Sequence, residues 1–364
     1  MSDSNILAHF KLDMIQTLAL ASLVLFLGYV IRRRIGFLDH YNIPAPVVGG
    51  FLFAALALAL RMSNLVAISF DTTLQAPLMI AFFTTIGLGA SLSLLKVGGP
   101  QVLIFWGLSS VLAIVQNGIG ASLSGLLGVH PFLGLIAGSI TMTGGHGTGA
   151  AFGQLMEQEY NFTGGVTLAM AAATFGLVSG GLIGGPIGTR LIHHLKRKEA
   201  QVPGRSPAGA ALAGAADHDS KDEIDLAVKG FTAYSLLKIL TIALMAMWIG
   251  SLLSQWLGRF ITLPGYIGSM IVAAVMRNLA DLTPKIKIEQ RLVDLVGTIA
   301  LSLFLAMALM TLQLWELLDL AIPMLIILMA QVAALAAFSY FITYRVMGRD
   351  YDAAVMAAGH CGFG

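Results

Sequence analysis

The sequence predicts an all-α polytopic membrane protein made of two repeats of opposite orientation, and three observations carry that prediction. Hydrophobic residues make up 57% of the 364 and charged residues 11%, with a mean hydropathy of +0.83, whereas about a quarter of a soluble domain is charged. Apolar runs of about 18 residues or more, long enough to cross a bilayer, recur along the chain. Landmarks of the first half return in the second at a nearly constant offset and in the same order. The composition also excludes other classes. A net charge of +2, with no basic patch interleaved with aromatics, gives no footprint for nucleic acid. One cysteine, Cys361, supports neither an intramolecular disulfide nor a multi-cysteine metal site. Asp3, His9, Lys11 and Asp13 precede a first apolar run that is itself long enough to span, which argues against a cleavable signal peptide.

Residues 14–31 form the first expected span, closed by Arg32-Arg33-Arg34. Ile43-Pro44-Ala45-Pro46 opens the second, 47–60, because proline fits a helix start whose N–H would be unpaired anyway. The third, 78–95, carries Thr84 and Thr85, and the fourth, 102–127, carries Gln116-Asn117 near its middle. Residues 132–140 are apolar but too short to cross, and they lead into a polar tip. The chain returns through 150–159, so 132–158 reads as a re-entrant hairpin. The fifth span, 166–187, is rich in glycine (Gly176, Gly180, Gly181, Gly184, Gly185), which lets helices approach closely. Residues 190–230 then read as a hydrophilic cytoplasmic linker. Its adjacent His193 and His194 do not share a helix face and lack partner ligands, so they are read as solvated rather than metal-binding. Spans resume at 234–257, 263–275, 292–312 and 322–344, and residues 353–358 begin another apolar half-segment ending in Gly359-His360-Cys361-Gly362-Phe363-Gly364. The expected units are therefore a first repeat, 1–189, the linker, and a second repeat, 231–364.

The internal match rests on three anchors. Pro44 pairs with Pro264, 220 residues on; Phe83 with Phe304, 221 on; and Gly138-Ser139 with Gly359-His360, 221 on. At that offset the partner of His146 falls near position 367, so the second hairpin is expected to be incomplete over these 364 residues. If a re-entrant hairpin returns to its own side, five spans per half invert one half relative to the other. The distribution of Lys and Arg agrees: of 21, only Lys11, Arg61 and Arg259 fall on one side. The other side is then cytoplasmic, together with the linker, and the N-terminus is periplasmic. Two broken segments entering from opposite faces are how secondary transporters build a substrate and ion site.

The tip, Ile140-Thr141-Met142-Thr143-Gly144-Gly145-His146-Gly147-Thr148-Gly149, holds four glycines, three threonines and a histidine. So many glycines weaken a helix, and hydrocarbon tolerates broken backbone only where it is buried or lines a cavity. The candidate substrate contacts are Thr141, Thr143, Gly144, Gly145, His146, Gly147, Thr148 and Gly149, with Gln116, Asn117, Gly359 and His360. Thr143, Thr148 and Thr84 are candidate oxygen ligands for a hard cation, and a half-helix starting after Gly149 would offer amides to an anion. Against each stands a plainer reading. The tip can be an ordinary loop, His146 a brace, Gln116 and Asn117 interhelical glue, and Thr84 and Thr85 hydroxyls bonded to their own helix. Arg349, Asp350 and Asp352 read as a solvated turn.

Beyond these readings the chain resembles the bacterial glutamate:Na+ symporter family. The residues that carry the resemblance are Tyr41-Asn42-Ile43-Pro44-Ala45-Pro46-Val47, Ala81-Phe82-Phe83-Thr84-Thr85-Ile86-Gly87-Leu88, Thr143-Gly144-Gly145-His146-Gly147-Thr148-Gly149-Ala150-Ala151 and Ser302-Leu303-Phe304-Leu305-Ala306-Met307-Ala308-Leu309. Tyr351-Asp352-Ala353-Ala354-Val355 and Ala358-Gly359-His360-Cys361-Gly362-Phe363-Gly364 add to them. The resemblance implies an inner-membrane symporter rather than an enzyme, with Na+ as coupling ion and no organic cofactor. It implies L-glutamate as substrate, with D-glutamate or analogues as variants, and a homodimer in the lipid bilayer. Family members continue through the second hairpin and a final helix, so full transport is expected to need those segments. Two rivals come from other classes. A sodium/proton antiporter, or a carrier of another small carboxylate, keeps the fold logic, but an antiporter is expected to hold carboxylates inside its spans. An intramembrane serine hydrolase would need a nucleophile beside a base, and no Gly-x-Ser-x-Gly stretch occurs.

Overall fold

The computed structural model describes residues 8–36, 38, 43–199, 232–260, 263–283, 288–312 and 320–363. Among these, seven helices are long and apolar enough to cross a membrane. The chain is a polytopic helical membrane protein. Tyr41, Asn42, most of the expected linker (200–230) and Gly364 lie outside the described residues.

Helix α1 (Met14–Arg34) starts on a reciprocal cap: Gln16 N–H donates to Asp13 Oδ1 at 2.8 Å, and Asp13 N–H to Gln16 Oε1 at 3.1 Å. It ends on three arginines that complement the helix dipole. Helix α2 (Ala45–Met62) follows Pro44 as expected. Helix α3 (Gln75–Gly89) has 15 residues and stops short of the expected 95. There Asn278 intervenes, its Oδ1 accepting from Leu92 N–H at 2.8 Å and its Nδ2 donating to Ala90 O at 2.9 Å. A side chain thus occupies the groups that a continuous helix would pair. Residues 92–95 instead open α4 (Leu92–Leu127), which breaks at Gly99-Pro100, where Gly99 has φ 59°.

Helix α5 (Pro131–Leu135) passes into a π-helical turn, Ile136–Ile140, followed by α6 (Gly145–Tyr160). Helix α7 (Gly165–Glu199) runs twelve residues past the expected span end at 187. Residues 190–199, expected as the start of the linker, are helical. Leu191 is buried against Tyr344, Met347, Ala353 and Ala357, so tertiary packing extends the helix through a basic sequence. The second half holds α8 (Ala233–Leu257), α9 (Tyr266–Asp281), α10 (Gln290–Met310), α11 (Ala321–Phe338) with a π-turn Ser339–Thr343 and a last turn Tyr344–Val346, and α12 (Tyr351–Phe363). One feature was missed entirely: β1 (Ala8–Leu12) pairs in parallel with β2 (Val66–Phe70), tying the residues before α1 to those after α2. Five residues flanked by long apolar runs leave too little alternation to signal a strand.

The halves interlock. Helix α1 packs on α2 and α8 on α9, while α3 lies against α9 and α10 against α2. The close contacts pair in the same way: Gly50 touches Leu309, and Gly87 touches the Met270 carbonyl, each too closely for a side chain to intervene. The main core draws on both halves, with Phe83, Leu133, Met142 and Leu168 meeting Phe304, Leu309 and Ile327.

Candidate functional site

The hairpin begins and ends at one place. Phe132, on entry, sits edge-on to Tyr160 and Phe162, on exit, at 5.3 and 5.7 Å between ring centres, with His130 against Phe132 and Phe162. Between those ends, 131–140 covers about 15 Å at helical rise, half a bilayer core. Its backbone is disturbed where Gly138 adopts ψ −139°. Thr141 Oγ1 donates to Ile136 O at 2.6 Å, while Thr143 N–H and Gly144 N–H both reach Ser139 O at 3.2 and 3.0 Å.

The unwound tip is shorter than expected. It is Thr143-Gly144 alone, and α6 begins at Gly145, whose φ of +66° suits glycine. Gly147, Thr148 and Gly149, expected in a broken stretch before the helix, lie within its first two turns. The glycines there serve packing: a Cβ on Gly147 would sit 3.2 Å from both the Phe82 and Phe83 rings, and one on Gly149 3.0 Å from Thr141 Cγ2. Tertiary contact outweighs helix propensity at these positions. The open amides of the half-helix accordingly belong to Gly145 through Thr148, and no side chain caps that start.

Gln116 and Asn117 of α4 face the hairpin, as one of their two sequence readings required. Ser139 N–H and Oγ donate to Asn117 Oδ1 at 3.2 and 2.9 Å, and Thr143 Oγ1 donates to Gln116 Oε1 at 2.7 Å. From the other half, Gln331 Nε2 of α11 donates to the Gln116 main-chain carbonyl at 2.7 Å. Gln116 and Gln331 are both fully buried, yet Gln116 Nε2 and Gln331 Oε1 have no hydrogen-bond partner. Each such group costs roughly 1–3 kcal/mol. One donor and one acceptor thus stand unused beside the tip.

The remaining candidates separate. His146 Nε2 lies 3.0 Å from Thr174 Oγ1, whose proton goes to Met170 O at 2.8 Å. The histidine is therefore the donor at Nε2, and Nδ1 is left as an acceptor. Thr148 is hydrogen-bonded to the Tyr266 hydroxyl, and the Tyr266 ring stacks on Phe83 at 3.7 Å. Thr84 is fully buried and donates to Ile80 O at 2.7 Å, and Thr85 donates to Phe82 O, so both follow the plainer reading in their hydrogen bonds. The three candidate cation ligands, Thr143, Thr148 and Thr84, thus each have a different partner.

Gly359 and His360, expected as substrate contacts on the approach to a second tip, lie inside the unbroken helix α12. That helix packs on Gly180, Gly184 and Gly188 of α7, which confirms close helix approach there, while Gly185 touches nothing. His360 is buried with Thr343 Oγ1 at 2.9 Å from Nδ1 and Ser109 Oγ at 3.4 Å from Nε2. Its position on α4, through Ser109, is about 10 Å from Gln116.

Sequence reasoning passed over Gln331, Thr174, Ser139 and Tyr266. Gln331 had a signal: it is the one polar side chain in the apolar run Ala321–Phe338. Thr174 and Ser139 had none, because their roles come from partners far along the chain.

A larger cavity, of about 820 Å3, opens where the hairpin enters, lined among others by Arg61, Gln75, Gln154, Glu157, Thr167 and Thr311. No residue of the tip lines it.

The profile of the sodium/glutamate symporter family matches residues 10–364. The chain belongs to that family. It is 44% identical over 358 residues to the sodium/glutamate symporter of Escherichia coli K12, covering 98% of this chain and 86% of that one. A second relative, the sodium/glutamate symporter of Haemophilus influenzae KW20 Rd, is 42% identical over 356 residues, 96% of this chain and 84% of its own. The Shigella flexneri protein of the same name is 44% identical. Membership makes the chain a transporter and not an enzyme.

Proposed function

We propose that this protein carries glutamate into the cell together with sodium, at a site formed where the first hairpin meets α4, α7 and α11. The observation that carries the reading is the unused pair of amide atoms, Gln116 Nε2 and Gln331 Oε1, buried beside Thr143. A molecule with both an anionic and a cationic end satisfies a donor and an acceptor at once. A carboxylate of glutamate takes Gln116 Nε2 and the open amides of Gly145 to Thr148. Oxygens of Thr143, Thr148 and Gln331 suit sodium, which needs a hard oxygen shell. Thr84 spends its proton on its own helix and adds least. Because a bound cation beside the carboxylate offsets its charge, each ligand favours the other, and that reciprocity is coupling.

Several features support the finer architecture. The hairpin ends meet in one aromatic cluster, as a re-entrant segment requires, and the crosswise packing of α3 on α9 and α10 on α2 is what two interlocked inverted repeats would produce. The cavity gathers the end of α2, the hairpin exit and the end of α10 on one face, the face with few basic residues. On this reading the N-terminus and the cavity are periplasmic and the linker cytoplasmic, in the inner membrane.

Uptake of labelled glutamate into vesicles with an imposed sodium gradient tests the function. Uptake that collapses without the gradient is expected. In the same assay Thr143→Val should weaken glutamate or sodium affinity by about 1–3 kcal/mol while protein abundance holds. Unchanged affinity would move Thr143 to a purely structural role. Orientation is tested separately: an impermeant thiol reagent outside intact cells should label Ser63→Cys and Asn161→Cys but not Ser220→Cys, in a background with Cys361 replaced.

A further inference from the structure

A second, smaller cavity of about 220 Å3 lies at the far end of α7 from the hairpin entrance, and nothing in the transport cycle uses it. Its lining is Leu191, His194 and Leu195 of α7 with Tyr340, Phe341, Tyr344, Arg345 and Arg349 at the end of α11. Two arginines and a histidine line it, with no carboxylate. The nearest acid in sequence, Asp350, does not line it; its Oδ1 accepts from Ala353 N–H at 2.7 Å, while its charge also reaches Tyr344 in the wall.

The walls are held in place. Tyr344 Oη donates to Arg349 O at 3.2 Å, and Arg349 N–H to Tyr344 O at 3.1 Å, which pins the turn carrying Arg349. That turn holds Arg349 at φ 60°, a conformation uncommon for a residue with a side chain. Arg345 lies 5.9 Å from the centre of the Phe341 ring. The floor is apolar, with Leu191 buried. Beside the opening, Phe341, Ile342 and Val346 are about half exposed and form an apolar flank at the end of a spanning helix. The cavity is therefore cationic at the rim and lipid-facing at the side.

We propose that this cavity binds the phosphodiester of an anionic phospholipid, with Arg345 and Arg349 on the phosphate oxygens and the acyl chains lying on Phe341, Ile342 and Val346. Guanidinium groups match phosphate oxygens in pairs, and basic pockets between helices at the inner membrane face are suited to such headgroups. A soluble phosphate ester shares the headgroup chemistry, but it makes no use of the apolar flank. The half-exposed Phe341 ring is where an interfacial lipid is expected to sit.

The test uses the full chain in nanodiscs of phosphatidylcholine doped with phosphatidylglycerol, with retained lipid read by native mass spectrometry. Wild type should retain phosphatidylglycerol preferentially. Arg345→Gln with Arg349→Gln should lower that retention by roughly tenfold or more, leaving phosphatidylcholine unchanged. A double variant of equal charge change elsewhere, Arg33→Gln with Arg291→Gln, should retain it as wild type does. Equal loss in both double variants would overturn the proposal in favour of bulk electrostatics. Displacement of the retained lipid by millimolar glycerol 3-phosphate would overturn it in favour of a soluble ester. Thermal midpoints of all variants guard against unfolding, and should a double variant unfold, Arg345→Lys and Arg349→Lys, which keep the charge but lose the paired geometry, must show an intermediate loss.

Discussion

The hairpin from Pro131 to Tyr160 and helix α12 from Tyr351 to Phe363 are brought into register by the 221-residue sequence offset, and they differ in how their polar groups are used. At the offset of 221, Asn117 and Ser139 correspond to Phe338 and His360. Both pairs meet in the structure: Ser139 donates twice to Asn117, and Phe338 lies edge-on to the His360 ring at 6.0 Å. In the first half that junction is polar, the backbone breaks beside it, and Gln116 Nε2 goes unpaired, as does Gln331 Oε1, which comes from the other half. In the second the junction is aromatic, the helix runs on, and both ring nitrogens of His360 have hydroxyl partners. Ser109 gives its proton to Phe105 O at 3.0 Å, so His360 donates at Nε2 and accepts from Thr343 at Nδ1. A satisfied polar group holds a fold together, and an unsatisfied one in hydrocarbon waits for something to bind. The proposed function places recognition at the hairpin and bracing at His360 on the strength of that difference, with Ser339 Oγ beside Phe338 also unpaired.

Substitutions at three places would break or sharpen this contrast: the paired positions 134 and 355, Gln331, and the two histidines. The largest effect is expected at Gly134, which touches the backbone of Gly120 too closely for any Cβ. Gly134→Val should force α4 and the hairpin apart and lower stability by about 3 kcal/mol. Its counterpart, Val355, is nearly half exposed on α12, and Val355→Ala should shift the thermal midpoint little. Similar losses at both sites would erase the distinction.

A smaller effect, on ligands rather than folding, is expected at Gln331. Gln331→Leu removes the orphaned acceptor together with one hydrogen bond, so stability should stay near wild type. Glutamate or sodium affinity should fall by about 1–3 kcal/mol, some 5- to 150-fold. Wild-type affinity at normal abundance would remove α11 from the site. The smallest effect separates the histidines. His360→Phe keeps the ring against Phe105 and Phe338 but loses two hydroxyl partners, at about 1 kcal/mol of stability with transport per folded molecule unchanged. His146→Phe should leave the midpoint closer to wild type and depress uptake. The reverse pattern would exchange their roles.

The class and most of the spans were legible because each depends on local composition, above all the length of the apolar runs. The pairing of Gln116-Asn117 with the hairpin was open to anticipation, since mid-span polar groups must find partners. The errors share one cause. Residues 145–149 and 190–199 looked non-helical by propensity and charge, yet Phe82, Phe83 and Tyr344 pack against them and hold them helical. The third span ended early because Asn278, 186 residues beyond Leu92, took its backbone groups. Composition alone settled that this chain lives in a bilayer, since no soluble fold can bury so much apolar surface with so few charges. Which polar atoms were left unpaired there was decided only by tertiary structure, because hydrogen-bond satisfaction depends on partners that are distant in the chain and adjacent in space.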